Sequence, residues 1–304
     1  MTNDKERAKT VLIVGATGYI GNAVVAESVR QDYDVIAVTR SVKDESQFHG
    51  AEVVLADVSD PASIAKAFSR KVDIVISCLA CRSGLPHDFD DIDYKATLNV
   101  LDAAMENGTR QFILLSAICV RKPDLPLQLA KLKMEDALIR SGIDYTIVRP
   151  TAYFWVFDTQ TRMIENGRPG YVVGTGDQAS HNPIAKEDLA EFMVGCIGND
   201  ERKNRLFILG GPEVPDNIVT YKDSLLMVFE ALGKEPKLVS IPGWAVTAVI
   251  RITWFIGLFW RKIGVFSQFL KITYYYLEND MRAPGYGSIT LKQHLTDSTR
   301  KALT

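Results

Sequence analysis

The chain has 304 residues, of which 47% are hydrophobic and 24% are charged, and its formal net charge is −2. These ordinary values predict a soluble globular protein, and the near-neutral charge argues against nucleic acid as a partner. The first ten residues are polar, so no export signal or transit peptide is visible, and the four cysteines are expected to be reduced thiols in the cytoplasm.

In the first 150 residues, short apolar runs alternate with helical patterns. Strands are predicted at 10–16, 34–40, 51–57, 72–80, 110–117 and 143–150, and helices near 19–30, 60–68, 93–108 and 127–141. Nearly continuous apolar strands separated by helices are typical of a parallel sheet covered on both faces. We therefore predict an α/β fold in which residues 1–150 form a Rossmann-type doubly wound parallel sheet.

After Pro150 the alternation weakens, and residues 151–304 are expected to form a smaller, mostly helical C-terminal lobe that binds the substrate. Helices are predicted near 158–166, 185–198 and 221–232, and short strands at 171–173 and 206–209. The region 241–277 is rich in aromatic residues, and its stretch 244–260 is barely long enough to cross a bilayer. Arg251 lies near the middle of that stretch, so a buried helix or one lying in the membrane interface is expected instead.

The motif "GATGYIG" at 15–21 lies between the first strand and the first helix. Its three glycines permit a tight turn, close approach of the backbone to a pyrophosphate, and close packing of the helix on the strand. The helix N-terminus then stabilises the phosphate charge. The cofactor-binding residues predicted from this motif are Gly15, Thr17, Gly18, Tyr19, Ile20 and Gly21.

The second strand ends in Arg40, where an acid would select NAD by binding the ribose 2′-hydroxyl. An arginine favours the 2′-phosphate of NADPH instead, and Ser41 and Lys43 could assist. Asp57 and Val58 follow the third strand and are expected near the adenine. Leu79 and Ala80 end the fourth strand and are expected on the adenosine side. The "CLAC" at 78–81 is formally C-x-x-C, but no second pair or histidine cluster completes a metal site, so small residues at a strand end are the preferred interpretation.

Four motifs then resemble a known family: "LLSAICVRKP" (114–123), "AKLKMEDAL" (130–138), "YTIVRPTAYF" (145–154) and "LGGPE" (209–213). With the glycine motif they resemble the atypical short-chain dehydrogenase/reductase superfamily, and within it the NADPH-dependent divinyl chlorophyllide 8-vinyl-reductases. The similarity is densest over 114–154 and extends more thinly over most of the chain. It implies that NADPH reduces the 8-vinyl group of divinyl chlorophyllide or protochlorophyllide to ethyl, in chlorophyll or bacteriochlorophyll biosynthesis.

The resemblance also implies roles for residues near the reaction. Lys131, with Glu135 one turn later, corresponds to the lysine that holds the nicotinamide ribose hydroxyls, and Ser116 lies where the superfamily keeps a serine near the substrate. The segment from Pro150 through Thr151 and Tyr153 to Phe154 is expected to pass the nicotinamide. Tyr153 is a candidate proton donor or an aromatic wall, and ordered water is another candidate donor.

The superfamily tyrosine, four residues before the lysine, is replaced by Leu127. A carbonyl reductase needs that hydroxyl to protonate an alkoxide, whereas reduction of a vinyl group leaves none. The replacement also fits a non-catalytic NADPH-binding sensor or assembly factor. It argues against a sugar-nucleotide epimerase or dehydratase, because those reactions oxidise an alcohol.

Two further features remain open in the sequence. His181 is a candidate axial ligand to the magnesium of the tetrapyrrole, or simply a polar loop residue. The region 241–277 could supply apolar walls for the macrocycle, make peripheral contact with a photosynthetic membrane, or pack in an ordinary core.

Overall fold

The computed structural model describes residues 8–42, 44–81 and 85–303. The strands, in chain order, are β1 (Thr10–Val14), β2 (Asp34–Thr39), β3 (Glu52–Leu55), β4 (Ile74–Ser77), β5 (Gln111–Leu115), β6 (Asp144–Pro150), β7 (Gly170–Val173), β8 (Ser180–His181), β9 (Arg205–Leu209), β10 (Val219–Thr220) and β11 (Leu238–Ile241).

The α-helices are α1 (Tyr19–Arg30), α2 (Pro61–Ile64), α3 (Pro86–Phe89), α4 (Thr97–Asn107), α5 (Pro126–Arg140), α6 (Asp158–Glu165), α7 (Lys186–Val194), α8 (Tyr221–Ala231), α9 (Gly243–Gly257), α10 (Arg261–Glu278) and α11 (Leu291–Leu303). Short 3₁₀ helices occupy Glu45–Phe48, Ala65–Phe68, Ile118–Arg121 and Phe154–Phe157, and a π-helix occupies Asp90–Ala96.

Seven strands form one sheet in the order β3-β2-β1-β4-β5-β6-β9. The registered pairs from β3 to β6 are parallel, and β9 runs the same way as β6, since Asn204 bonds to Tyr145 and Thr151 bonds to Leu209. All five residues of β1 are buried, as expected for a central strand with helices on both faces. This order confirms the predicted Rossmann-type doubly wound sheet.

Two predicted helices differ in detail from the observed ones. The helix predicted at 60–68 begins as expected, with the Asp60 carboxylate accepting from the Ala62 amide and Pro61 in the first turn, but it tightens to 3₁₀ geometry from Ala65. The helix predicted at 93–108 begins as the π-helix and becomes α-helical only at Thr97. It ends at Gly108, whose φ of +70° is the left-handed conformation typical of a helix C-terminus.

The chain divides into two compact units. The first comprises Met1–Arg82, His87–Arg149 and Leu189–Phe207, and the second comprises Ser83–Pro86, Pro150–Asp188 and Ile208–Thr304. The sequence prediction places Leu189–Phe207 in the C-terminal lobe, whereas in the structure this stretch belongs to the first unit. The reason is that this stretch holds most of α7 and the start of β9, and β9 extends the parallel sheet.

Among its described residues, the second unit contains two small sheets and five complete helices. β11 pairs with β7 in parallel, and β10 pairs with β8 in antiparallel fashion. Its core includes Phe157, Ile164, Leu225, Phe229 and Leu291. β8, β10, β11 and α11 are not part of the sequence prediction, because strands of two to four residues and a largely polar terminal helix carry little periodic apolar signal.

Buried polar side chains tie the loops of the second unit together. Asn182 donates from Nδ2 to the carbonyls of Gly211 and Ala283, both at 2.9 Å, and its Oδ1 accepts from the Ala283 amide at 3.1 Å. The carboxylate of Asp188 accepts from the amides of Ser288 and Ile289. Asp188, in the first turn of α7, therefore has a structural role.

Candidate active site

The glycine motif forms the turn between β1 and α1. Gly15 has a φ of +76°, and a Cβ built on it would lie 2.6 Å from the Cys78 carbonyl oxygen at the end of β4. A Cβ on Gly21 would lie 2.1 Å from the Gly15 carbonyl oxygen. The turn thus needs glycine at Gly15 for its conformation and at Gly21 for the close packing of α1.

The N-terminus of α1 opens onto this turn. Gly18 is the N-cap residue and, having no side chain, gives no capping hydrogen bond, while its amide donates to the Gly15 carbonyl at 2.8 Å. The first-turn residues Tyr19 and Ile20 follow, and Thr17 is exposed beside them. The uncapped helix terminus and its dipole are suited to an anion such as a pyrophosphate.

Charged residues follow β2 and β3 at the same edge of the sheet. Arg40 and Ser41 are exposed, and Lys43 lies outside the described residues. Asp57 accepts from the Ser59 amide at 3.0 Å and from its hydroxyl at 2.6 Å. These hydrogen bonds, with a further contribution from the charge of Arg40, hold the pKa of Asp57 below its ordinary value. Arg40 is suited to the 2′-phosphate of a phosphorylated cofactor, and the carboxylate of Asp57 is suited to the edge of its adenine.

The remaining residues predicted around the adenosine also follow strands of the first unit. Val58 is buried, and its carbonyl accepts from Asn99 Nδ2 at 3.1 Å. Leu79 is half-buried and lines a small cavity, whereas Ala80 is exposed. Because the carboxyl ends of parallel strands meet at one edge of a sheet, these residues and the glycine turn share that edge.

Lys131 on α5 is paired with a buried acid that the sequence analysis did not identify. Its Nζ lies 2.9 Å from Asp93 Oδ1, and the other carboxylate oxygen accepts from the Cys81 amide at 3.1 Å. Burial alone would lower the pKa of Lys131, but the charge of Asp93 and its hydrogen bond outweigh that effect and raise the pKa. Lys131 is therefore a fixed cation.

A second buried chain of polar groups begins at Ser116, after β5. The Ser116 hydroxyl donates to Glu135 Oε1, and Arg149 donates to both carboxylate oxygens of Glu135, from Nε to Oε1 at 3.0 Å and from Nη2 to Oε2. Ser116 and Glu135 are each 3% exposed. Glu135 is thus a paired carboxylate, and the Ser116 oxygen keeps lone pairs that can accept a hydrogen bond.

The Lys131–Asp93 pair and Ser116 line the same cavity of the first unit. Its lining includes Leu79, Asp93, Ser116, Lys131 and Met134. Asp93 belongs to the π-helix, an irregularity that is frequent at functional sites. Leu127, one turn before Lys131 on α5, is half-buried and offers no hydroxyl.

The residues predicted along the nicotinamide belong to the second unit from Pro150 onward. Pro150 is buried, and Thr151 donates from Oγ1 to the Asn182 carbonyl at 2.7 Å. Tyr153 is half-buried and forms a parallel bridge with Ile184. The Phe154 ring is 1% exposed and lies 4.8 Å from the His294 ring, so it packs in the core of this unit. Phe154 could therefore contribute only through its backbone.

Cysteine and histidine chemistry is limited in the described part of the chain. Burial raises the pKa of the Cys78 thiol to about 12, which leaves it protonated and unreactive at neutral pH. Among the described residues, no group of three or more His, Cys, Asp or Glu side chains could hold a metal ion. Burial lowers the pKa of His181 to about 4, and its ring stacks on Phe157.

Known proteins are similar to this chain in sequence and in fold. Residues 15–200 match the family described as NAD(P)H-binding. The chain is 34% identical to divinyl chlorophyllide a 8-vinyl-reductase, chloroplastic, of Arabidopsis thaliana, over 99% of this chain and 79% of that protein. The photosystem II assembly factor Ycf39 of Trieres chinensis is 26% identical over 80% of this chain and 75% of its own.

A solved structure extends the comparison to the fold. UDP-glucose 4-epimerase from Thermotoga maritima, solved with UDP-glucose, superimposes with a TM-score of 0.76 at 16% identity, covering 97% of this chain and all of that one. At this identity the likeness concerns the fold alone.

Proposed function

We propose that this chain, which belongs to the divinyl chlorophyllide a 8-vinyl-reductase family, uses NADPH to reduce the 8-vinyl group of divinyl chlorophyllide or protochlorophyllide to an ethyl group. The observation that carries the proposal is the 34% identity to a chloroplast enzyme of that name over almost the whole chain. The site geometry supports it, because it supplies a fixed cation, Lys131, and a leucine, Leu127, at the position where carbonyl reductases of the superfamily have their tyrosine.

The first unit fits a dinucleotide by its backbone. A Cβ on Gly15 or Gly21 would collide with neighbouring backbone, so glycine keeps the turn tight, and the uncapped start of α1 beside it suits a pyrophosphate. We assign the phosphate to Gly15, Thr17, Gly18, Tyr19, Ile20 and Gly21, and the 2′-phosphate to Arg40 and Ser41. Asp57, Val58, Leu79 and Ala80 border the adenosine in this assignment. NADPH, when bound, supplies the hydride.

In this mechanism Lys131 binds and orients the cofactor. Because Asp93 keeps its ammonium charged, Lys131 donates hydrogen bonds, which suits the ribose hydroxyls beside the nicotinamide. Its raised pKa makes it a weak acid, so we do not assign it the proton that completes the reduction. The proton comes from the Tyr153 hydroxyl or from ordered water.

Ser116 donates its hydroxyl hydrogen to Glu135 and so can only accept a hydrogen bond from a further partner. Arg149 pairs with the same Glu135 carboxylate. The Ser116 oxygen can therefore accept a hydrogen bond from Lys131, which lines the same small cavity, or from the bound substrate. This arrangement positions groups and transfers no proton to a carbonyl oxygen.

Leu127 is consistent with this chemistry. Adding hydride to a vinyl group conjugated with a tetrapyrrole leaves charge that the macrocycle delocalises, and no alkoxide forms. A phenol held one turn before the lysine would have no oxygen to protonate. Loss of that hydroxyl therefore costs a vinyl reductase nothing at the reacting atoms.

Anaerobic incubation of the purified protein with divinyl chlorophyllide a and NADPH tests the proposal. Chromatography and mass analysis should find a product two hydrogen atoms heavier, with a blue-shifted Soret band. Lys131→Ala should reduce turnover and weaken NADPH binding together, whereas Tyr153→Phe should reduce turnover alone if its hydroxyl supplies the proton. Absence of the dihydro product from either chlorophyllide or protochlorophyllide, with NADPH still bound, would contradict the reductase function.

A second candidate is a protein that binds NADPH without turnover and assists assembly. The observation that favours it is the similarity to the photosystem II assembly factor Ycf39, combined with Leu127 in place of the tyrosine. The same incubation separates the two candidates, because this one predicts saturable NADPH binding and no dihydro product.

A further inference from the structure

The two long helices after β11 form a hairpin that exposes most of its apolar surface. α9 has no buried residue, and α10 has only Ser267 and Tyr275. The helices meet through small residues: a Cβ on Gly257 would lie 2.6 Å from Gly264 Cα, and Ser267 donates to the Ile250 carbonyl at 3.1 Å. Because glycine and serine form this contact, the large side chains of the hairpin are left on its outside.

The exposed apolar side chains concentrate at the tip, where α9 turns into α10. Phe255 is 61% exposed, Leu258 62%, Phe259 75% and Trp260 64%. Exposed Ile252 and Phe255 lie three residues apart on α9, and exposed Phe266 and Phe269 have the same spacing on α10. Residues at this spacing share a face of a helix, so each helix continues the apolar patch away from the tip. A contiguous aromatic patch of this kind marks an interaction site rather than a scattered surface residue.

Every charged side chain near the tip of the hairpin is basic. From Leu238 to Leu277 the sequence contains no Asp or Glu, although the whole chain has 37 of them. Arg261 and Lys262 follow Trp260 directly and are exposed, and Arg251 is exposed on α9. Acids return only at the far end of α10, where Glu278 is the last residue of the helix, and at Asp280 beyond it. The surface therefore combines aromatic rings with basic groups, and its charge complements an anionic partner.

We propose that the tip of this hairpin, residues 252–262, docks on the surface of an anionic lipid bilayer. Trp and Phe rings suit the boundary between headgroups and acyl chains, and the neighbouring Arg and Lys side chains suit lipid phosphates. The docking is peripheral: within the described ranges, no helix has the length and apolar character needed to cross a membrane. The rings enter the bilayer by roughly 5–10 Å, the depth typical of interfacial helices.

Flotation of the full chain with lipid vesicles tests this surface independently of any catalytic activity. The chain should float with vesicles of two parts phosphatidylcholine to one part phosphatidylglycerol, and at least tenfold less with phosphatidylcholine alone. Raising the salt concentration should release it, because screening weakens contacts between exposed charges. Phe259→Ser with Trp260→Ser, or Arg261→Gln with Lys262→Gln, should each reduce binding at least tenfold.

Matched variants remove equivalent side chains elsewhere on the surface. Met105→Ser with Ile139→Ser removes two exposed apolar groups of the first unit, and Lys66→Gln with Arg168→Gln removes two exposed cations. Both controls should float like the unaltered chain. The proposal is overturned if the chain stays with the buffer at low salt, if the controls lose as much binding as the tip variants, or if the tip variants only dissolve a self-associated form seen by light scattering.

Discussion

At the scale of single residues, the chemistry of the site depends on which partners hold the charged groups. Lys131 and Glu135 lie one turn apart on α5 and could form a pair with each other, yet each is paired elsewhere. Lys131 is held by Asp93, and Glu135 is held by Arg149. The two charges therefore have separate roles: one is a cation facing the cavity, and the other anchors Ser116.

Replacing Asp93 tests the first of these pairs. Asp93→Asn leaves a buried ammonium without its counter-ion, so we expect the free energy of unfolding to fall by about 3 kcal/mol. The pKa of Lys131 should fall as well, and the KM for NADPH should rise. Urea denaturation and steady-state kinetics measure these effects.

Asp90→Asn is the matched control, since Asp90 lies in the same π-helix but pairs with Lys95 and Lys133 at the surface. Its loss should cost under about 1 kcal/mol. Equal costs for the two variants would mean that the buried pair does not hold Lys131.

We expect the preference for NADPH over NADH to depend on Arg40. In Arg40→Asp the new carboxylate would repel the 2′-phosphate and could bind a 2′-hydroxyl. We expect the Kd for NADPH to rise roughly tenfold to a hundredfold, the equivalent of losing a charge-assisted contact of about 1.5–3 kcal/mol, and the Kd for NADH to fall. Titration calorimetry with both cofactors measures this. Arg168→Asp, an exposed arginine of the second unit, should change neither value; an unchanged preference in Arg40→Asp would remove this residue from the site.

At the scale of elements, the turn from β1 to α1 has the tightest steric requirements. Gly15 combines a positive φ with a backbone neighbour that would be 2.6 Å from a Cβ, whereas Gly233, with a φ of +62°, has no atom within 4 Å of one. Comparing alanine at these two positions separates backbone strain from collision.

Gly233→Ala should lower the free energy of unfolding by about 1 kcal/mol, the cost of placing an alanine in the left-handed region. Gly15→Ala should cost about 3 kcal/mol, because the end of β4 must also move. It should abolish NADPH binding as well, which fluorescence titration would detect. Similar costs at both positions, with binding retained, would show that the turn tolerates a side chain.

At the scale of the whole molecule, stability should depend on pH through a histidine of the second unit. Burial lowers the pKa of His181 to about 4, against roughly 6.5 in the unfolded chain. Between these values the unfolded chain binds the extra proton, so the stability falls as the pH drops from about 6.5 to 4. His181 alone should contribute a loss of up to roughly 3 kcal/mol by pH 4.

Denaturation at several pH values checks this contribution. His181→Phe keeps a ring to stack on Phe157 and should flatten the acid slope. Part of the slope should remain, since burial also lowers the pKa of His294. An identical slope in His181→Phe would mean that His181 is not held neutral.

Much of the fold and part of the site followed from local patterns. The parallel sheet was predictable because every strand of a sheet covered on both faces is a short apolar run, and the glycine turn because its steric demands act within seven residues. The spacing of Lys131, with Leu127 before it, was equally visible. These features are properties of neighbouring residues, and periodicity and spacing record them directly.

Only the tertiary structure decided which groups meet across the chain. Asp93 and Lys131 are distant in sequence, and nothing in "DDIDYKA" distinguishes the buried acid from its exposed neighbours. Phe154 looked like a cofactor contact but packs in a core, whereas the aromatic rings of 252–262, equally suited to a core, are exposed. The reason is physical: burial and ion pairing depend on which surfaces the folded chain brings together, and composition alone does not specify that choice.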